Sequence, residues 1–281
     1  MNLENLEIKI GKDSAPTEIN FKELEKKCFV DVSLEVKREP VALSIGEYEY
    51  KGLHYPIPFG TYGNFSCLVG ASKSMKTFLK SALIAGYIGG NSQHYFPNMK
   101  GHENRDKFIL DIDTEQSLFH THKVAKRVCN MVGQNPDFYR PYCTREEDPR
   151  IRFQFIEYLM MESEYRNNIG LVAVDGAADI LESVNDLDLS NKIVQGMMKW
   201  SSVTNSHLCT VLHRNHGSDK PTGHLGSAIM KKAETVAFVT REDGIVNVTP
   251  EYTRNYPFEE FKFELDDEFL PKEASIYESS F

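Results

Sequence analysis

The chain has 281 residues, 41% of them hydrophobic, with 32 Lys and Arg against 41 Asp and Glu and a formal net charge of -9. That length supports one large core and a single principal domain, and the acidic balance argues against indiscriminate coating of nucleic acid while leaving room for a local basic loop. Cys28, Cys67, Cys129, Cys143 and Cys209 form no CxxC pair, the N-terminus has no leader-like pattern and no apolar run approaches membrane length, so disulfides, zinc and a membrane partner are not expected, and the expectation is a soluble cytoplasmic protein.

Residues 1–40 are polar and mixed in charge, with one helical candidate at Asn20–Cys28, and read as an arm or linker helix. An α/β domain is expected over residues 41–265, with 266–281 as a C-terminal tail. It opens with a strand at Pro40–Gly46 and an irregular Gly, Tyr and Pro-rich lead-in. A buried strand at Phe65–Val69 and a helix over Thr77–Ile88 follow, then a loop or short hairpin, a strand in "KFILDID" and a helix in "SLFHTHKVAKRVCNMVG". Past a connecting region come a helix in "RFQFIEYLMMESEYRNN", the strand "IGLVAVD", a helix around "SNKIVQGMMKWSSVTNS" and the strand "HLCTVLH". Alternating strands and helices predict a largely parallel sheet, and the turn-rich runs from Ala233 to Asp267 predict antiparallel C-terminal edge strands.

Between the first buried strand and its helix lies "GASKSMKT": Gly70, Ala71, Ser72, Lys73, Ser74, Met75, Lys76 and Thr77. Against the phosphate-loop pattern GxxxxGK[ST], only Met75 departs, standing where a second glycine is usual. Phosphate binding there needs backbone N–H groups at a helix N-terminus, a lysine ammonium and a hydroxyl for Mg²⁺, and Met75 removes none of these. A side chain at a position of positive φ costs about 1 kcal/mol or more. The same stretch also describes an ordinary Ser- and Lys-rich turn. Asp113 and Glu115 stand at the carboxyl end of a strand, where open α/β sheets place their sites. Asp175 ends another apolar strand and suits a Mg²⁺-bound water, or equally the capping of a following helix. His213 ends a third, beside a loop carrying Arg214, His216 and Lys220.

In this order the motifs resemble the RecA-like P-loop ATPases, particularly the RepA-like and phage-type hexameric replicative helicases and the ATPases of mobile elements. "IDTE" resembles the segment supplying the catalytic glutamate, which assigns Glu115 as the base; "VAVDG" looks like the Walker B strand; and "VLHRN" resembles the helicase strand whose last residue senses the γ-phosphate, which assigns His213 as sensor. "HLGSAIMKKAETVAFVTRE" is similar to the helix and strand that follow the DNA loop, and "YTRNYPF" resembles the late "KxRNGP" hairpin, which assigns Arg254 as an arginine finger. Met75 and Tyr252 depart from that pattern. The resemblance implies ATP and Mg²⁺ as cofactors, with Lys76 on the terminal phosphates and Thr77 and Asp175 on the metal. It also implies single-stranded DNA at Arg214, His216 and Lys220, and a homo-oligomeric, hexameric ring. The alternative is a nucleotide-dependent switch with weak hydrolysis and no motor activity; a recombinase-like filament former is a third reading.

Overall fold

A computed structural model describes residues 20–183, 185–214 and 223–274. The chain divides into two compact units, residues 1–38 and 39–281. In the first, helix α1 (Phe21–Cys28) is capped by Asn20, whose side-chain oxygen accepts from the Glu23 N–H at 3.3 Å, and none of its residues is buried.

The second unit holds two sheets. In the smaller, β1 (Val41–Tyr50) lies between β2 (Leu53–Thr61) and β4 (Met99–Gly101), antiparallel to both. The expected irregular lead-in is thus a strand. Its prolines misled the sequence pattern: Pro56 and Pro58 are tolerated because β2 is an edge strand, and Lys51 and Gly52, both at positive φ, make the hairpin turn.

The larger sheet comprises β3 (Phe65–Gly70), β5 (Phe108–Asp113), β6 (Tyr139–Cys143), β7 (Ile169–Asp175), β8 (His207–His213), β9 (Thr235–Glu242), β10 (Ile245–Thr253), β11 (Phe261–Leu265) and β12 (Pro271–Glu273). Its order is β12-β11-β10-β9-β3-β8-β7-β5-β6. From β9 to β6 every pairing is parallel, and from β9 to β12 every pairing is antiparallel. Three placements correct the sequence expectation. β9 is an interior strand parallel to β3, so the antiparallel edge begins only at β10. β6 lies in the segment taken for a connection, where Pro141 and an edge position weaken the strand pattern. The stretch taken for a tail continues the sheet through the three-residue β12.

Side-chain alternation along the parallel strands supplies two cores. Leu68, Leu171, Ala173 and Val211 pack with α2 (Lys76–Ile88) and α3 (Leu118–Val132) on one face. Cys67, Val69, Val172, Val174 and Leu212 pack with α4 (Pro149–Met161), α5 (Leu187–Thr204) and α6 (Gly223–Lys232) on the other. Strands buried on both faces read as continuous apolar runs, which is why these were legible. No described helix is long and apolar enough to cross a membrane.

Candidate functional site

Because β3, β5, β7 and β8 run parallel, their carboxyl ends bring Gly70, Asp113, Asp175 and His213 to one edge of the sheet. This is the crevice where open α/β sheets bind ligands. The loop from Gly70 to Met75 turns into α2 with two non-glycine residues in the left-handed region, Lys73 at φ 64° and Met75 at φ 73°. Met75 therefore does occupy the glycine conformation, at a cost of about 1–2 kcal/mol. Gly70 is required: a Cβ there would lie 2.3 Å from the Val239 carbonyl oxygen and 2.5 Å from Ser74 Oγ. Ser74 is buried, and its hydroxyl has no hydrogen-bond partner.

Lys76, the first residue of α2, turns back into the loop. Its Nζ donates to the carbonyls of Ala71 at 2.7 Å and Gly70 at 3.0 Å, and to His213 Nδ1 at 3.3 Å. An ammonium only donates, so Nδ1 accepts and the neutral imidazole carries its proton on Nε2. That nitrogen faces Glu115 Oε2 at 3.5 Å. Burial pulls the Lys76 pKa below its ordinary value, against the opposing pull of Asp175 and Glu115. The contact with His213 holds the Glu115 carboxyl below its ordinary range. Three residues distant in sequence thus form one chain, Lys76 to His213 to Glu115.

Asp113 is occupied otherwise. Its Oδ1 accepts from the N–H groups of Glu115 and Gln116 at 3.1 and 2.9 Å, and its Oδ2 from Gln116 Nε2 and Thr121 Oγ1 at 2.9 and 3.1 Å. It shapes the turn that presents Glu115. Thr114 fastens that turn to the end of β7, its hydroxyl contacting the carbonyls of Asp175 and Gly176 at 2.8 and 2.9 Å and Asp179 Oδ2 at 3.1 Å.

Below this mouth lies a second charged group that the sequence reading did not single out. Lys80, four residues beyond Lys76, places Nζ 2.8 Å from Asp111 Oδ1 and 3.3 Å from Asp175 Oδ2. Tyr139 donates to the other Asp111 oxygen at 2.8 Å. Burial alone would depress the Lys80 pKa, but Asp111, Asp175 and Asp113 outweigh it and raise the pKa, so the ammonium stays charged. The available signal was a lysine on the apolar face of α2 opposite an aspartate inside the apolar run "FILDID".

Arg254 lies elsewhere. Its backbone N–H donates to the Glu234 carbonyl at 2.8 Å, and its guanidinium to Asn64 Oδ1 and the Lys232 carbonyl, both at 3.3 Å. Asn64 precedes β3, so Arg254 stands at the opposite end of that strand from its own phosphate loop, about 17 Å along the sheet. The Arg214 backbone N–H continues the pairing of β8 with β3 by donating to Gly70 at 3.1 Å. His216 and Lys220 lie outside the described residues.

Among the described residues, no three His, Cys, Asp or Glu side chains converge as a metal cage. Mg²⁺ at phosphates needs only one or two protein oxygens. Asp175 stands at the strand end where such an oxygen would be needed; it is buried, and its Oδ2 accepts no hydrogen bond but faces Lys80 Nζ at 3.3 Å. Thr77 follows Lys76 in the first turn of α2.

No family model and no curated protein matches this sequence. Among solved structures, the RadB recombinase resembles it over 76% of this chain and 91% of its own, at a TM-score of 0.50 and 15% identity. With the strand order and the loop at the end of β3, that likeness establishes the architecture: this chain has a RecA-like α/β fold with antiparallel C-terminal strands.

Proposed function

We propose that this chain binds ATP with Mg²⁺ at Gly70–Thr77 and hydrolyses it, as a RecA-like DNA motor of the RepA or replicative-helicase type serving replication or transfer of a mobile element. The observation that carries the nucleotide reading is the convergence of Lys76, His213 and Glu115 at the carboxyl ends of parallel strands, beside a strand-to-helix loop in which Lys73 and Met75 hold positive φ. The motor type and the mobile-element role rest on the sequence resemblance.

In this reading Lys76 exchanges its two carbonyl partners for the terminal phosphates, where its charge offsets theirs. Thr77 and Asp175 would hold Mg²⁺, which supplies neutralisation of the phosphate oxygens. Glu115 orients a water and accepts its proton. The water oxygen bonds to the γ-phosphorus as the bond from phosphorus to the bridging oxygen breaks, leaving ADP and phosphate. A carboxyl held below its ordinary range is ionised at neutral pH but weakly basic, so Glu115 acts more by positioning than by basicity. His213 touches both Lys76 and Glu115 and so reports phosphate release to the loop beginning at Arg214.

Arg214, His216 and Lys220 would meet the backbone of single-stranded DNA. Arg254, remote from its own site, would serve a neighbouring subunit of a hexameric ring. Mixing Arg254→Ala with Lys76→Ala subunits should restore part of the activity that each lacks alone; no recovery removes the finger.

Steady-state ATPase assays with and without single-stranded DNA test the whole reading. The motor predicts turnover that rises with DNA. A second reading, a nucleotide switch with weak hydrolysis, is favoured by the closed arrangement of Lys76 on its own loop carbonyls. It predicts ATP binding with slow turnover indifferent to DNA. The name of the structural neighbour, a recombinase, keeps a filament in view. Sizing the oligomer separates filament from ring.

A further inference from the structure

The nucleotide reading leaves Lys80 without a task, although it touches the aspartate assigned to the metal. Lys80, Asp111 and Asp175 are 1%, 3% and 3% exposed, so water offers them little screening. The ammonium sits between carboxylates of two adjacent parallel strands, 2.8 Å from Asp111 on β5 and 3.3 Å from Asp175 on β7. A purely structural pair would be complete with Asp111 alone, whose second oxygen is satisfied by Tyr139. Asp175 Oδ2 accepts no hydrogen bond, and what faces it is the Lys80 charge.

We propose that Lys80 is a resident cation of the nucleotide site, neutralising Asp175 from beneath and taking over part of the compensation that a divalent metal supplies, so that nucleotide binding depends only weakly on Mg²⁺. The inference rests on the nucleotide reading and specifies its metal requirement. Two features reinforce each other. A metal drawn to Asp175 meets a fixed positive charge already 3.3 Å from that carboxylate, which weakens its hold. The same charge, one helical turn from Lys76, offsets part of the repulsion that the Asp175 carboxylate would exert on phosphates when no metal is present.

The test is calorimetric binding of ATP to the full chain in Mg²⁺ and in excess EDTA. Chelation should lower wild-type affinity by less than about threefold, and should lower that of Lys80→Met/Asp111→Asn by about tenfold or more, because Asp175 then needs the metal. The paired substitution removes the lysine without stranding Asp111, and circular dichroism checks that the variant folds; if it does not, the wild-type ratio alone decides. A wild-type loss of about tenfold or more on chelation overturns the inference while leaving the nucleotide site standing, as does an equal ratio in wild type and variant. No ATP binding in either buffer overturns the nucleotide reading itself.

Discussion

Lys76 and Lys80 stand one turn apart on the same helix, yet they belong to different kinds of site. Lys76 is held by two loop carbonyls and a histidine, neutral partners that a polyanion can displace. Lys80 is held by two buried carboxylates, partners that nothing from solvent can replace without stranding a charge. A lysine with neutral partners is available to a ligand; one with buried anionic partners is part of the framework. On the proposed reading the mouth exchanges its contacts for those of a ligand and the layer beneath keeps its own.

The sharpest way to break this comparison is to remove Lys80 alone. Lys80→Met leaves Asp111 and Asp175 buried without their cation and should destabilise the fold by about 3–5 kcal/mol, measured by urea unfolding. A loss under about 1 kcal/mol would mean that the cluster is hydrated and the contrast false. Next in size, Glu115→Gln should leave stability and ATP affinity near wild type while lowering turnover about a hundredfold or more. Retained turnover would shift the water-positioning role elsewhere, though not to Asp113, whose oxygens are committed to the turn.

Much of this layout was legible because it depends on local pattern. "FSCLVG", "IGLVAVD" and "HLCTVLH" are apolar runs buried on both faces, and their terminal residues fall at one edge once the strands are parallel. What escaped the pattern depends on partners. β2 and β6 carry prolines that only an edge position excuses, and β9 alternates like an antiparallel strand although it pairs parallel with β3. Lys80 and Asp111 acquire meaning only from each other, since each alone is a charged residue in an apolar segment. Arg254 was singled out by resemblance of its motif, and its distance from its own loop follows from strand direction.

The smallest expected effect sharpens the view of the mouth. Met75 holds φ 73° at the head of α2, so Met75→Gly should relieve strain and stabilise the protein by about 1 kcal/mol, visible as a raised urea midpoint with unchanged slope. An unchanged or lowered midpoint would mean that packing of the Met75 side chain against the adjoining core offsets its backbone strain.

The claim on which the rest depends is that Lys76 is the displaceable lysine of a nucleotide site. Equilibrium ATP binding to wild type and to Lys76→Ala, each verified as folded by circular dichroism, tests it most directly. The account predicts saturable binding by wild type and a loss of about a hundredfold or more in the variant, because a desolvated charge-assisted contact is removed. Equal affinity in the two proteins, or no binding by either, would contradict it.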